Sequence, residues 1–143
     1  MNILLDTCAI FELRKSNPSA PFLEWFCRCN ERLLHLSSVT LGELRFGIEQ
    51  LADGKYKTNL LTWYAELCLS YQGHILSPSQ EIFEIWGTLR AKRRKEGHPL
   101  SMSDGLIAAT ALYHSMALVT CNTEAFQGLG VDLINPWVPA PTE

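Results

Sequence analysis

Ser101-Met-Ser-Asp-Gly-Leu-Ile-Ala-Ala-Thr-Ala-Leu-Tyr113 reads as a helix that is apolar on nearly every side beyond its first turn. A helix of that kind belongs in a core, and its small alanines let neighbouring elements approach closely. Ser101 and Asp104 stand at the S-x-x-D spacing of a capping box, so Ser101 is the expected N-cap with Asp104 in the first turn. The first turn is the one place where such a helix can present chemistry. What it presents is a carboxylate.

Working outward, Ile3-Leu4-Leu5 is a short continuous apolar run of the kind buried on both faces of a parallel sheet, and it ends at Asp6-Thr7. Helical stretches are expected over residues 8–15 and from Pro21 to about Arg32, the second with Phe22, Trp25, Phe26 and Cys29 on one stripe. Residues 33–39 form the second expected strand. Thr40-Leu-Gly-Glu43 repeats the capping-box spacing and opens a helix to about Asp53, with Gly54 as its stop. A further helix over 57–71 precedes a short strand at His74-Ile-Leu-Ser77. Then come a helix ending at Lys95 before Gly97, the central helix, a strand at Met116-Ala-Leu-Val-Thr120, and a last one within 131–136. Strands alternating with helices predict an α/β domain with a mostly parallel central sheet flanked by helices and a helical insert at about 40–71. A single domain over 1–137 and a loose tail over 138–143 are expected.

With 47% apolar and 19% charged residues in 143, the chain can build a core and lacks the composition of a disordered protein. A net charge of -3 exerts no overall pull toward nucleic acid, so any such contact needs a local basic patch. No apolar run reaches the roughly 18 residues of a membrane span, and no charged stretch precedes an apolar one at the start of the chain. The five cysteines are odd in number and lack zinc-ribbon spacing, which reads as reduced thiols in a cytosolic protein.

Ligands of an open parallel sheet bind beyond the carboxyl ends of its strands. Asp6, Glu43 and Asp104 all fall on that edge, and so does Asn122 after the strand ending at Thr120. A carboxylate in a first helical turn offsets the helix dipole by roughly 0.3–1 kcal/mol, and that accounts for Glu43 or Asp104 taken singly. Together the acids resist so plain an explanation. Two carboxylates ~5 Å apart repel by about 3 kcal/mol at an effective dielectric of 20. A divalent cation is the natural counter-charge, and an all-oxygen ligand set favours Mg2+ or Mn2+ over zinc. The chemistry that fits is in-line attack on a phosphodiester by a water held on the ion. A phosphoacceptor receiver domain would need paired acids after the first strand and a lysine after a late one; Asp6 stands alone and Thr120-Cys-Asn122 has no lysine.

Leu5-Asp6-Thr7, Ser38-Val-Thr-Leu-Gly-Glu-Leu-Arg-Phe-Gly47, Asp104-Gly-Leu-Ile-Ala-Ala-Thr110, Leu118-Val-Thr-Cys-Asn122 and Asn135-Pro-Trp137, in that order, resemble the motifs of PIN-domain toxins of the VapC/FitB type. The resemblance covers almost the whole chain. It implies a PIN-like fold and a Mg2+- or Mn2+-dependent endoribonuclease, the toxin of a type II toxin–antitoxin pair. It also implies a homodimer neutralised by a cognate antitoxin protein, with RNA as substrate. The family's catalytic and metal-holding acids map onto Asp6, Glu43 and Asp104, with Thr7, Asn122 and Glu124 as auxiliary groups. The chain departs from the pattern at three places. Cys8 stands where the family usually has asparagine, Cys121 where it has arginine, and Ala125 where a fourth acid often precedes the position of Phe126; Glu124 falls one residue early. These departures define the rival expectation, a non-catalytic PIN-like partner-binding module whose site has decayed.

Arg90-Ala-Lys-Arg-Arg-Lys95 holds five of the twelve basic residues. It reads equally as a solvated helix end that complements the dipole and as a phosphate-contacting patch. Lys92, Arg93 and Arg94 are the candidate contacts there, with Arg14, Lys15 and Arg45 nearer the acids.

Overall fold

Neighbouring residues of the central strands point into different cores. In this computed structural model, which describes residues 1–139, strands β1 (Ile3–Leu5) and β4 (Ala117–Val119) lie side by side in parallel register, Leu4 opposite Leu118 and Leu5 opposite Val119. Leu4 and Leu118 join a cluster with Ile82, Leu89, Ile107 and Phe126, while Leu5 and Val119 join one with Ile10, Phe22, Leu36 and Leu44. That two-faced burial is why the strands read as continuous apolar runs.

Five strands form the sheet in the order β3-β2-β1-β4-β5, all parallel, with β2 at Leu34–Ser37, β3 at Ile75–Leu76 and β5 at Leu133–Ile134. Helices α1 (Thr7–Arg14) and α2 (Ala20–Arg28) connect β1 to β2. Helices α3 (Ser38–Glu49) and α4 (Lys55–Ser70) lead on to β3. Helices α5 (Gln80–Lys95) and α6 (Met102–Tyr113) then carry the chain across the sheet to β4, and a single turn, α7 (Thr123–Phe126), precedes β5. The strand order therefore reverses between β1 and β4. In an open parallel sheet such a switch point, beyond the carboxyl ends of the two strands, is where a ligand binds.

The α/β class, the parallel sheet and the buried central helix agree with the sequence reading: every residue of α6 from Gly105 to Ala111 is buried. Three local expectations need correction. The helix starting near Pro21 ends at Arg28, and a 3-10 turn at Glu31–Leu33 follows it. Gly54 does not stop α3, which ends at Glu49; it is the N-cap of α4, at φ 156° and ψ -176°, a conformation that suits glycine. Helix α3 begins at Ser38 with the Ser37 hydroxyl accepting from the Val39 N–H at 3.1 Å, so the Thr40–Glu43 capping box does not form. Of the proposed tail, residues 140–143 lie outside the described residues. Among the described residues no helix is long and apolar enough to cross a membrane.

A buried carboxylate ties the chain's ends together. Glu12, only 4% exposed, accepts from Trp137 Nε1 at 2.6 Å, from the Ser19 N–H at 3.1 Å and from Lys15 Nζ at 3.1 Å. The Trp137 ring stacks on Phe22 with centroids 4.7 Å apart. The tryptophan hydrogen bond is the largest of the effects holding the Glu12 carboxyl below its ordinary pKa. Stability from a lowered carboxyl pKa is present above the unfolded-state value and lost as the pH falls through the folded-state value. Glu12→Gln is therefore expected to cost about 1–3 kcal/mol at pH 7 in urea unfolding. The deficit should shrink toward zero as the pH drops below about 4.

Candidate active site

Asp6 follows β1 directly and caps α1. Its Oδ1 accepts from the Thr7 N–H at 2.8 Å and its Oδ2 from the Thr120 hydroxyl at 2.8 Å, across the switch point from the end of β4. The Asn122 N–H donates to that same Thr120 hydroxyl at 3.0 Å. Asp6 is 7% exposed, so it is a buried acid pinned by neutral donors. Thr120 has no signature at the sequence level beyond ending an apolar strand, and the reading of the residues passed over it.

Glu43 projects from the second turn of α3 and is exposed. No acid occupies the first turn of that helix, so neither capping nor a first-turn dipole role accounts for Glu43. The Thr7 hydroxyl donates to its Oε1 at 2.7 Å and lies 3.2 Å from the Thr40 hydroxyl. Thr7 thus bridges α1 to α3 beside Asp6. Asp104 enters as expected in the first turn of α6, where the Ser101 hydroxyl accepts from its N–H at 3.2 Å. The next residue, Gly105, leaves room for a ring: a Cβ there would lie 2.7 Å from Trp86 Cδ1.

Two of the three acids are perturbed by their neighbours. Burial is the main cause raising the Asp6 carboxyl above its ordinary pKa, opposed by its Thr120 and Thr7 hydrogen bonds and reinforced by the charges of Asp104 and Glu43. Burial likewise raises Asp104, the Ser101 hydrogen bond opposes the rise, and the Glu43 charge adds to it. They do not close into a ready-made cage: among the described residues, no three His, Cys, Asp or Glu side chains stand close enough to hold an ion between them. What lies near the switch point is a set of hard oxygen donors that pair with no cation among the described residues. That donor set fits a small hydrated divalent cation, which keeps several waters and takes one or two carboxylates.

The remaining predicted residues fall into two groups. Asn122 is the N-cap of α7 with no side-chain capping bond, and Glu124 is exposed one residue on from Thr123. Ala125, in the place of the usual fourth acid, packs against the apolar cluster. Most of the basic candidates are engaged within the chain. Lys92 Nζ donates to the Gly128 carbonyl at 2.7 Å, and Arg93 Nη2 to those of Ala125 at 2.7 Å and Gln127 at 3.0 Å. These two side chains satisfy carbonyls around the end of α7, where a cation complements the helix terminus. Lys15 pairs with Glu12 at 3.1 Å and Arg45 with Glu49 at 3.3 Å. Arg14 and Arg45 also lie over the rings of Trp63 and Tyr64, 5.8 and 5.6 Å from the centroids. The guanidinium of Arg94 is exposed and makes no such contact among the described residues.

Comparison with known proteins decides the family. The model of the PIN domain matches residues 3–130. The chain belongs to the PIN-domain family. This PIN domain is 36% identical to the VapC ribonuclease Y4jK of Sinorhizobium fredii, over 96% of this chain and 99% of that protein. It is 32% identical to the toxin FitB of Neisseria gonorrhoeae, over 94% of this chain and 98% of that one. Its fold superposes on a chain in the structure of FitAB bound to a DNA fragment with a TM-score of 0.90, at 31% identity and with 99% of both chains covered.

A carboxylate whose folded-state pKa is raised destabilises the fold once ionised, and the loss grows as the pH rises through the interval between the unfolded and folded values. Asp104→Asn is therefore expected to raise the melting temperature in EDTA at neutral pH. The gain should be about 1–3 °C, modest because the group is half-exposed and screened by solvent.

Proposed function

We propose that this PIN domain is a divalent-metal-dependent endoribonuclease, the toxin of a type II toxin–antitoxin pair. The observation that carries the reading is that Asp6, at the β1/β4 switch point, lies near enough to Asp104 and Glu43 for their charges to raise its carboxyl pKa, as the Glu43 charge does that of Asp104. Similarity to a named VapC ribonuclease and to the toxin FitB supports the RNA-cleaving activity. The likeness to a chain of the FitAB complex supports a cognate antitoxin as partner.

In this reading Asp6, Glu43 and Asp104 would hold the Mg2+ or Mn2+. The bound ion supplies Lewis-acid activation of a water and of the scissile RNA phosphodiester. Thr120 and the Thr7 N–H keep Asp6 in one orientation, so its carboxylate is preorganised to receive the cation. Thr7 holds Glu43 at the rim, where the carboxylate orients the attacking water or accepts its proton. Asn122 offers a neutral oxygen from the far side, and Glu124 a second acid in the same segment. Of the basic candidates the exposed Arg94 is free to meet phosphate, and Arg14 and Arg45 follow Asp6 and Glu43 in sequence. Exposed Phe46, Tyr56 and Leu69 on α3 and α4 provide apolar surface for a second copy or for the antitoxin. We place all of this in a single domain spanning 1–137.

A second reading, a partner-binding PIN module without catalysis, draws on Cys8, Cys121 and Ala125 in place of the usual polar residues. One experiment separates the two. Purified wild type with Mn2+ is expected to cleave RNA, and Asp6→Ala and Asp104→Asn to lose at least about a hundredfold in rate while keeping their circular dichroism spectra. Wild type that binds an antitoxin peptide yet cleaves no RNA with either Mn2+ or Mg2+ would establish the second reading.

A further inference from the structure

Cys8 and Cys121 sit on the two segments that meet at the switch point, one after β1 and the other after β4. The Cys121 N–H donates to Cys8 Sγ at 3.2 Å. The Cys8 thiol lies 3.7 Å from the Thr120 hydroxyl and 3.8 Å from Asp6 Oδ2. Cys121 is exposed, Cys8 is half-buried behind it, and both are free thiols. The other cysteines are placed elsewhere: Cys27 and Cys29 belong to the end of α2, where Cys29 Sγ is bonded to the Trp25 carbonyl, and Cys68 lies on α4.

A disulfide needs Cα atoms about 4.4–6.8 Å apart and sulfurs at about 2.05 Å. Leu5 pairs with Val119, and the Asp6 N–H bonds the Val119 carbonyl at 2.9 Å, so the segments leaving the two strands start side by side. Cys8 Sγ already lies 3.2 Å from the Cys121 amide nitrogen, so joining the sulfurs takes rotation of the exposed Cys121 side chain together with a short approach of its segment.

We propose that Cys8 and Cys121 form a reversible disulfide under oxidising conditions, and that this bond switches off the carboxylate site beside it. With a hydroperoxide as oxidant, Cys121 Sγ attacks a peroxide oxygen, the O–O bond breaks, and Cys121 becomes a sulfenic acid as water leaves. Cys8 Sγ then attacks Cys121 Sγ and the S–O bond breaks. The departing hydroxide takes the Cys8 thiol proton and leaves as a second water. Two thiols have given up two electrons and two protons, and hydrogen peroxide has become two waters. A dithiol reductant reverses the change by exchange. The bond removes the thiol hydrogen directed at Asp6 Oδ2 and draws in the segment whose Asn122 N–H holds the Thr120 hydroxyl. Asp6 and Thr120 are displaced together. The bond itself stands on geometry alone; its effect on RNA cleavage rests on the function proposed above.

The test treats wild type and Cys121→Ser with hydrogen peroxide, maps disulfides by mass spectrometry of an unreduced digest, and measures RNA cleavage and the Mn2+-induced rise in melting temperature. Wild type is expected to yield a Cys8–Cys121 linked peptide, to lose the Mn2+ response, and to slow in cleavage by about ten- to a hundredfold. Dithiothreitol should restore both, and Cys121→Ser should keep both in peroxide. The proposal is overturned if Cys8 and Cys121 stay unlinked while exposed Cys27 oxidises, or if linked protein keeps its Mn2+ response and its cleavage. Protein that forms the bond and loses the Mn2+ response, yet cleaves no RNA even when reduced, upholds the switch and refutes the nuclease reading.

Discussion

Like charge gathered where water is partly excluded is the constraint around which this domain is arranged. Two carboxylates ~5 Å apart repel by about 3 kcal/mol at an effective dielectric of 20, and burying one of them adds to that cost. Asp6 has no cationic partner among the described residues; the backbone N–H, threonine hydroxyl and thiol beside it offset only part of the cost of its burial. The fold tolerates the repulsion because the elements that carry the acids are committed elsewhere. Leu4 and Leu5 anchor Asp6 from opposite cores, and the seven consecutive buried residues of α6 anchor Asp104. Stability is conceded at one edge of the sheet and held by the two apolar layers beneath it.

The polar contacts away from the acids follow a different logic. Glu12 gathers a tryptophan, a lysine and a backbone N–H across 125 positions of chain, which fixes the Trp137 segment against α1 and α2. Lys92 and Arg93 reach from α5 to the carbonyls at the end of α7, a helix of one turn that could not hold its shape by propensity. That turn carries Glu124 and begins at Asn122. Part of the basic cluster therefore serves to hold that turn, and the positive charge left over for a substrate is narrower than a count of lysines and arginines implies.

Much of this was legible in the residues, and what was not has physical reasons. The strands and α6 announce themselves because burial on both faces removes polar residues from a whole run. The positions of Asp6 and Asp104 were legible because one ends a strand and the other stands in the first turn of a helix behind a capping serine. Glu43 was placed one turn too near the helix start, since Ser37, Ser38 and Thr40 are all competent caps and only packing chooses among them. Thr120, Cys8 and Glu12 act through partners 114, 113 and 125 positions away, and no local pattern encodes such pairings. Helix α7 is shorter than the period that would reveal it, and Gly54 looks the same to a sequence whether it ends one helix or begins the next.

We propose that Asp6, Glu43 and Asp104 share one divalent cation at the β1/β4 switch point. The most direct measurement is the anomalous difference map of a crystal soaked in Mn2+. A single strong peak within ligand distance of the Asp6 and Asp104 carboxylates is expected. Strong density at any other site, with none beside Asp6 at saturating Mn2+, would contradict it.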